Sequence, residues 1–72
     1  MMNFYLKDDF IKLGQLLKAA GLCENGVEAK YDIAEGLVKV NGETETRRGR
    51  KITEGDIVNY KDADITVKRK QD

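Results

Sequence analysis

The sequence predicts an α+β fold in which two short N-terminal helices pack on a small, mostly antiparallel sheet. Three observations predict it. Leu13, Leu16, Leu17 and Ala20 recur at helical spacing and define one apolar helix face. Val38 and Val40 alternate around Lys39 and run into Asn41-Gly42, the strongest short hairpin signal in the chain. Beyond that turn, Ile57-Val58-Asn59-Tyr60 and Ile65-Thr66-Val67 are β-rich and bounded by polar turns. With 72 residues the expectation is a single domain over 1–72. A chain of this size buries about 60% of the surface it exposes when unfolded, which leaves little room for a deep enzyme pocket.

Taken in order, Asn3 to Leu6 is a short β-prone piece suited to a sheet edge. Asp8 or Asp9 then supplies a helix N-cap, and Gly21 sits where a left-handed C-terminal residue belongs, so the first helix is expected at about 9–20. Leu22 and Cys23 read as a buried linker. Asn25 is the N-cap of a second helix whose inner face carries Ala29 and Ile33 and which Gly36 ends; Gly26 would permit another backbone to approach. Asn41-Gly42 favours a type I′ turn, and Glu43 to Thr46 would return as a polar strand. Arg47 to Lys51 reads as a loop with Gly49 at its centre, Thr53 to Asp56 and Lys61 to Asp64 as turns, and Lys68 to Asp72 as a charged, frayed tail.

The net charge is zero, so whole-chain charge says nothing about partners. The distribution is uneven: residues 1–36 carry four Lys against six Asp/Glu, and residues 37–72 carry nine Lys/Arg against seven Asp/Glu. Four of the five positions 47–51 are basic. Cys23 stands alone, so no internal disulfide can form, which fits a reducing compartment. Phe4-Tyr5-Leu6 is followed at once by Lys7-Asp8-Asp9, unlike a signal peptide, and no apolar run approaches the ~20 residues needed to span a membrane. A soluble, cytoplasmic monomer is expected. Without any His, no Ser-His or Cys-His arrangement is available. Asp8-Asp9 serve better as a helix start than as acid/base carboxylates, and no carboxylate cluster has metal-ligand spacing. The expectation is a protein that is not an enzyme and holds neither metal nor cofactor.

Several segments together resemble the alpha-L RNA-binding motif, the domain first described in ribosomal protein S-four. They are Leu16-Leu17-Lys18-Ala19-Ala20-Gly21, Asn25-Gly26-Val27-Glu28-Ala29-Lys30, Gly36-Leu37-Val38-Lys39-Val40-Asn41-Gly42, Lys51-Ile52 and Gly55-Asp56-Ile57-Val58. The resemblance covers about 11–67 and is closest to small stand-alone bacterial members, some associated with ribosome assembly. It implies binding to structured ribosomal or tRNA-like RNA, with a ribosomal subunit or assembly particle as the wider partner. The family reads RNA with basic residues at the starts of both helices and around the loop after the Asn-Gly turn. Lys12 lies where the family usually has Arg. The Ser-Arg-Arg that usually opens helix two becomes Asn25-Gly26-Val27, which keeps the capping role and loses two basic contacts. Lys30 compensates in part, and the loop is more basic than the usual pattern.

The candidate RNA-binding residues are therefore Lys12, Asn25, Lys30, Arg47, Arg48, Arg50 and Lys51. Arg offers a planar fork matched to phosphate oxygens, Lys a point charge, and Gly49 lets a ligand approach the loop backbone. The blander reading is a solvated loop balanced by Glu43, Glu45 and Glu54. On a helical wheel Lys12 falls beside the apolar face of helix one and Lys18 nearly opposite it, so Lys18 reads as solvent-facing; Lys39 projects outward from its strand. Tyr5, Tyr31 and Tyr60 could stack on bases but are more simply core-edge or surface residues. Asn41-Gly42 is explained by its turn. The rival reading is a non-catalytic protein-interaction adaptor.

Overall fold

The computed structural model describes residues 2–70. Its elements run β1 (Met2–Leu6), β2 (Ile11–Lys12), α1 (Leu13–Ala19), α2 (Gly26–Ala34), β3 (Val38–Val40), β4 (Glu43–Thr44), β5 (Lys51–Ile52), β6 (Ile57–Tyr60) and β7 (Ala63–Arg69). The architecture is α+β, two helices against a mixed sheet ordered β1-β7-β6-β3-β4, with β2 and β5 forming a separate two-stranded ribbon. The helices are not N-terminal as expected, because strands come first. β1 runs parallel to β7 at the sheet edge, and the other pairings within the large sheet are antiparallel. A parallel pair needs a long crossover, and here almost the whole chain lies between its two strands.

The core lies between the helices and one face of the sheet. Leu13, Leu16 and Leu17 of α1 and Ala29 and Ile33 of α2 are fully enclosed, against Val38, Val40, Val58, Tyr60, Ile65 and Val67. The strands alternate as a half-buried sheet should, with Lys39 outward between Val38 and Val40. Asn41 and Gly42 both have positive φ, 53° and 85°, as a type I′ turn requires. Asn25 caps α2 by accepting from the Glu28 N–H at 2.9 Å. Gly36 follows α2 at φ 79°, where a side chain would be strained.

The start of α1 differs from the expectation. Asp8 and Asp9 do not cap it; Lys12 occupies the N-cap position and makes no side-chain cap. Residues 11–12 are instead drawn into an antiparallel pair with Ile52 and Lys51. The free N–H groups of Leu13 and Gly14 donate to the carbonyls of Arg50 (2.8 Å) and Arg48 (3.1 Å). A distant loop thus does the work of a local cap, and Asp9 pairs with Arg69 at 2.8 Å. Other boundaries shift as well. Lys51 belongs to β5 rather than the loop, and the polar return strand stops at Thr44. Lys68 and Arg69 are part of β7, held by pairing with Tyr5 and Leu6 rather than frayed. The Lys70 N–H donates to the Leu6 carbonyl at 3.0 Å, and residues 71–72 of the expected tail lie outside the described residues. Gly26 has no neighbour that a Cβ would meet, so it permits no close approach of the kind expected.

Candidate nucleic-acid interface

The basic loop is organised by Glu45, a carboxylate only 6% exposed. It accepts from the Thr46 and Arg47 N–H groups, both at 3.0 Å, from two nitrogens of the Arg47 guanidinium at 3.1 Å, and from Arg50 at 3.0 Å. Arg47, then Arg50, hold the Glu45 carboxyl at about 2, against the upward pull of its burial. Glu45 in turn raises the Arg47 pKa further. The pairing fixes the loop in one shape and offsets charge at two of its four cations. Arg50 is 31% exposed in this arrangement, whereas the Arg47 side chain remains 75% exposed with its outer edge open to solvent.

The shaped loop lies across the start of α1 through the Arg48 and Arg50 carbonyls. Gly14 permits this contact: a Cβ there would sit 2.7 Å from Cγ and 3.3 Å from Cδ of Arg48. The Arg48 stem therefore runs over the bare backbone of α1. Here the close approach sought at Gly26 is found at Gly14, a glycine inside a helix, where it otherwise costs about 1 kcal/mol relative to Ala.

Between the start of α1, the start of α2 and the loop lies a cleft of about 380 Å³ lined by Lys12, Gly14, Gln15, Lys18, Gly26, Arg48 and Gly49. Among the described residues it gathers three cations and no carboxylate. Lys51 stands beside it, because the β2–β5 ribbon sets Lys12 directly opposite Lys51. Like charges facing each other across a ribbon are destabilising, and an anion bound between them would relieve the repulsion. Lys51 also rests over the Phe10 ring at 4.8 Å.

The fold thus brings Lys12, Arg48 and Lys51 together and places Arg47 and Arg50 on the Glu45 side of the same loop. Asn25 is committed to capping α2, beside Gly26 at the cleft margin. Lys30 is exposed on α2 and does not line the cleft. Lys18, read as facing open solvent, lines the cleft. The signal that would have found it is its spacing from Gly14, four residues on the same helix stripe.

Two other groups are settled by the fold. Tyr60 is enclosed and cannot stack on a base; its hydroxyl donates to Asp32 and accepts from the Cys23 thiol at 3.4 Å. Burial first, then Asp32 and Cys23, push its pKa far up. Around it the Cys23 sulfur and the Glu28 and Asp32 carboxylates come within 4.8 Å of one another. The i, i+4 spacing of the two acids on α2 gives them a common face, contrary to the expectation that no carboxylates have ligand spacing, and the fold adds Cys23 from outside the helix. Asn41 binds Asp56 through its amide nitrogen and accepts from the Ile57 N–H, both at 2.9 Å, tying the hairpin turn to the start of β6. Asp56 is also bonded by the Thr53 N–H at 2.8 Å. Burial alone would raise its pKa, but the bonds from Thr53 and Asn41 outweigh it and hold it below the usual range.

A small α+β unit with a cationic cleft formed by the starts of two helices and a basic loop is the arrangement that this fold and site define. The chain belongs to the S4 domain family, which matches residues 4–68. Among its relatives, YbcJ of Escherichia coli (strain K12), provisionally named an RNA-binding protein, is 43% identical over 68 residues, covering 93% of this chain and 97% of the relative. RlbA of Bacillus subtilis (strain 168), provisionally named a ribosome maturation protein, is 46% identical over 50 residues, covering 69% of this chain and 70% of the relative. The solution structure of E. coli YbcJ, described as revealing an alpha-L motif involved in RNA binding, superposes with a TM-score of 0.71 at 42% identity, over 92% of this chain and 85% of that one.

Proposed function

We propose that this protein is a non-catalytic RNA-binding module that docks on structured RNA, ribosomal or tRNA-like, during ribosome assembly in the cytoplasm. The observation that carries the reading is the cleft in which Lys12, Lys18 and Arg48 converge without a carboxylate among the described residues. Family membership and the names of YbcJ and RlbA support it. Among the described residues no helix is long and apolar enough to cross a membrane. Affinity comes from phosphate contacts and shape rather than base sequence. Lys12, Lys18 and Arg48 form the centre of the site, with Lys51 and the outer edge of Arg47 flanking it. Asn25 contributes by fixing the start of α2, and Arg50 by shaping the loop. Lys30 reaches RNA only if the ligand extends along α2.

Three to five neutralised phosphates, at a slope of roughly −0.7 to −0.9 each, make binding fall about four- to twentyfold per doubling of salt. Titration of ribosomal RNA fragments at several salt concentrations measures this, and absence of binding at low salt overturns the reading. Lys12→Glu combined with Arg48→Glu should abolish binding while the protein stays folded. The adaptor reading draws on Val27 and Tyr31, exposed one turn apart on α2. A protein partner retained after ribonuclease treatment would favour it.

A further inference from the structure

We infer that the groove between β1 and α1 holds an unpaired nucleobase of the bound RNA, beside phosphates seated in the cationic cleft. The inference rests on the RNA-binding reading above and narrows it to RNA with a bulged or otherwise extrahelical nucleotide.

The groove has a volume of about 890 Å³, and its apolar walls include Phe4, Tyr5, Phe10 and Ile11. This lies within the roughly 300–1,000 Å³ typical of small-ligand pockets. Phe10 is 38% exposed and Tyr5 54%, and both line the groove in a chain with few aromatics. The groove adjoins the cleft, with Lys12, Gln15 and Lys18 as their common wall. A cationic ridge therefore separates an apolar groove from a phosphate-sized cleft, matching the layout of a nucleotide whose base and phosphate point to opposite sides.

The surrounding charge selects the occupant. Lys7, Lys12 and Lys18 line the groove, Lys51 sits on Phe10, and Asp8 is the one acid among the lining residues. A second copy docking here about a twofold axis would bring the same lysines face to face. A polyanion with an apolar, flat side group meets no such repulsion. Base–aromatic stacking tolerates any base, and the Gln15 amide offers both a donor and an acceptor to a base edge. A fully paired A-form helix keeps its bases stacked and its major groove too narrow to enter, so the groove has no use for it.

The test uses the full chain and three hairpins of identical stem: one with a bulged 2-aminopurine, one with an abasic bulge and one fully paired. Binding is followed at low salt by anisotropy and by 2-aminopurine emission. The bulged base should bind about tenfold tighter than either control, with quenched emission. Phe10→Ala and, independently, Tyr5→Ser should remove that preference and the quenching while the paired hairpin still binds, more weakly in Phe10→Ala because Lys51 loses the ring it rests on, and that binding shows that the variants fold. Equal affinity for all three hairpins with unquenched emission overturns the inference and leaves the RNA-binding reading standing. Failure of all three to bind overturns both. A Phe10→Ala protein that changes its sedimentation but keeps the base preference assigns the groove to self-association and also overturns the inference.

Discussion

Replacing Glu45 by Gln keeps the shape of the side chain and its carbonyl acceptor but removes the charge that binds Arg47 and Arg50. The folded carboxyl lies at about 2 against an ordinary 4.5. At about 1.4 kcal/mol per pKa unit this sets a ceiling of about 3 kcal/mol of stability at neutral pH. Its chief partner, Arg47, is 75% exposed, and water screens that half of the interaction. The discounted expectation is a loss of roughly 1–2 kcal/mol, since exposed ion pairs are worth at most about 1 and this acid is enclosed. For a domain of this size that lowers the Tm by roughly 5–15 °C. Because the folded pKa is depressed, the contribution is complete above the unfolded value and drains away as pH falls toward the folded one. The gap between wild type and Glu45→Gln should be constant from pH 7 to about 5.5 and shrink to roughly half or less by pH 3. Urea denaturation followed by circular dichroism at each pH measures it. Equal stability of the two proteins at pH 7, or a gap undiminished at pH 3, would show that Glu45 does not organise the loop through its charge.

Three further outcomes are expected. Gly14→Ala places a methyl group 2.7 Å from the Arg48 stem, so Arg48 must leave the surface of α1; RNA affinity should fall several-fold in a filter-binding assay while the Tm moves by only a few degrees. Asn41→Ala loses the bonds to Asp56 and Ile57 and strains a residue at φ 53°, for a cost of about 2–3 kcal/mol in urea, whereas Asn41→Gly should recover about 1 kcal/mol through the turn alone. Tyr60→Phe should cost about 1 kcal/mol at pH 7. Burial holds the Tyr60 proton in the folded state beyond its ordinary 10.0, so wild-type stability should decline as pH rises above that value; Tyr60→Phe should lack this part of the decline in thermal melts at pH 7 and 10.5.

Much of the fold was legible because its signals are local. Leu13, Leu16 and Leu17 mark one face by spacing, Asn25 caps α2 with its own side chain, and Asn41-Gly42 turns the hairpin with its own backbone. The start of α1 was not legible, because its cap comes from Arg48 and Arg50, more than thirty residues away. The parallel pairing of β1 with β7 was hidden for the same reason, and it draws Lys68 and Arg69 out of the expected tail.

For the candidate site, the residue types pointed to the basic run 47–51, and the family resemblance added Lys12. Charge type survives folding, so a cluster of Arg and Lys announces a cationic surface before any geometry is known. How that charge is apportioned follows from contacts across the chain. Glu45 is drawn inward and engages Arg47 and Arg50, Gly14 makes room for Arg48, and the β2–β5 ribbon sets Lys12 against Lys51. The same packing turns Lys18 into the cleft and leaves Lys30 outside it. Periodicity and capping are properties of neighbours in sequence, and one chain suffices to read them. Charge pairing, burial and the meeting of a groove with a cleft depend on distances that exist only once the core has closed.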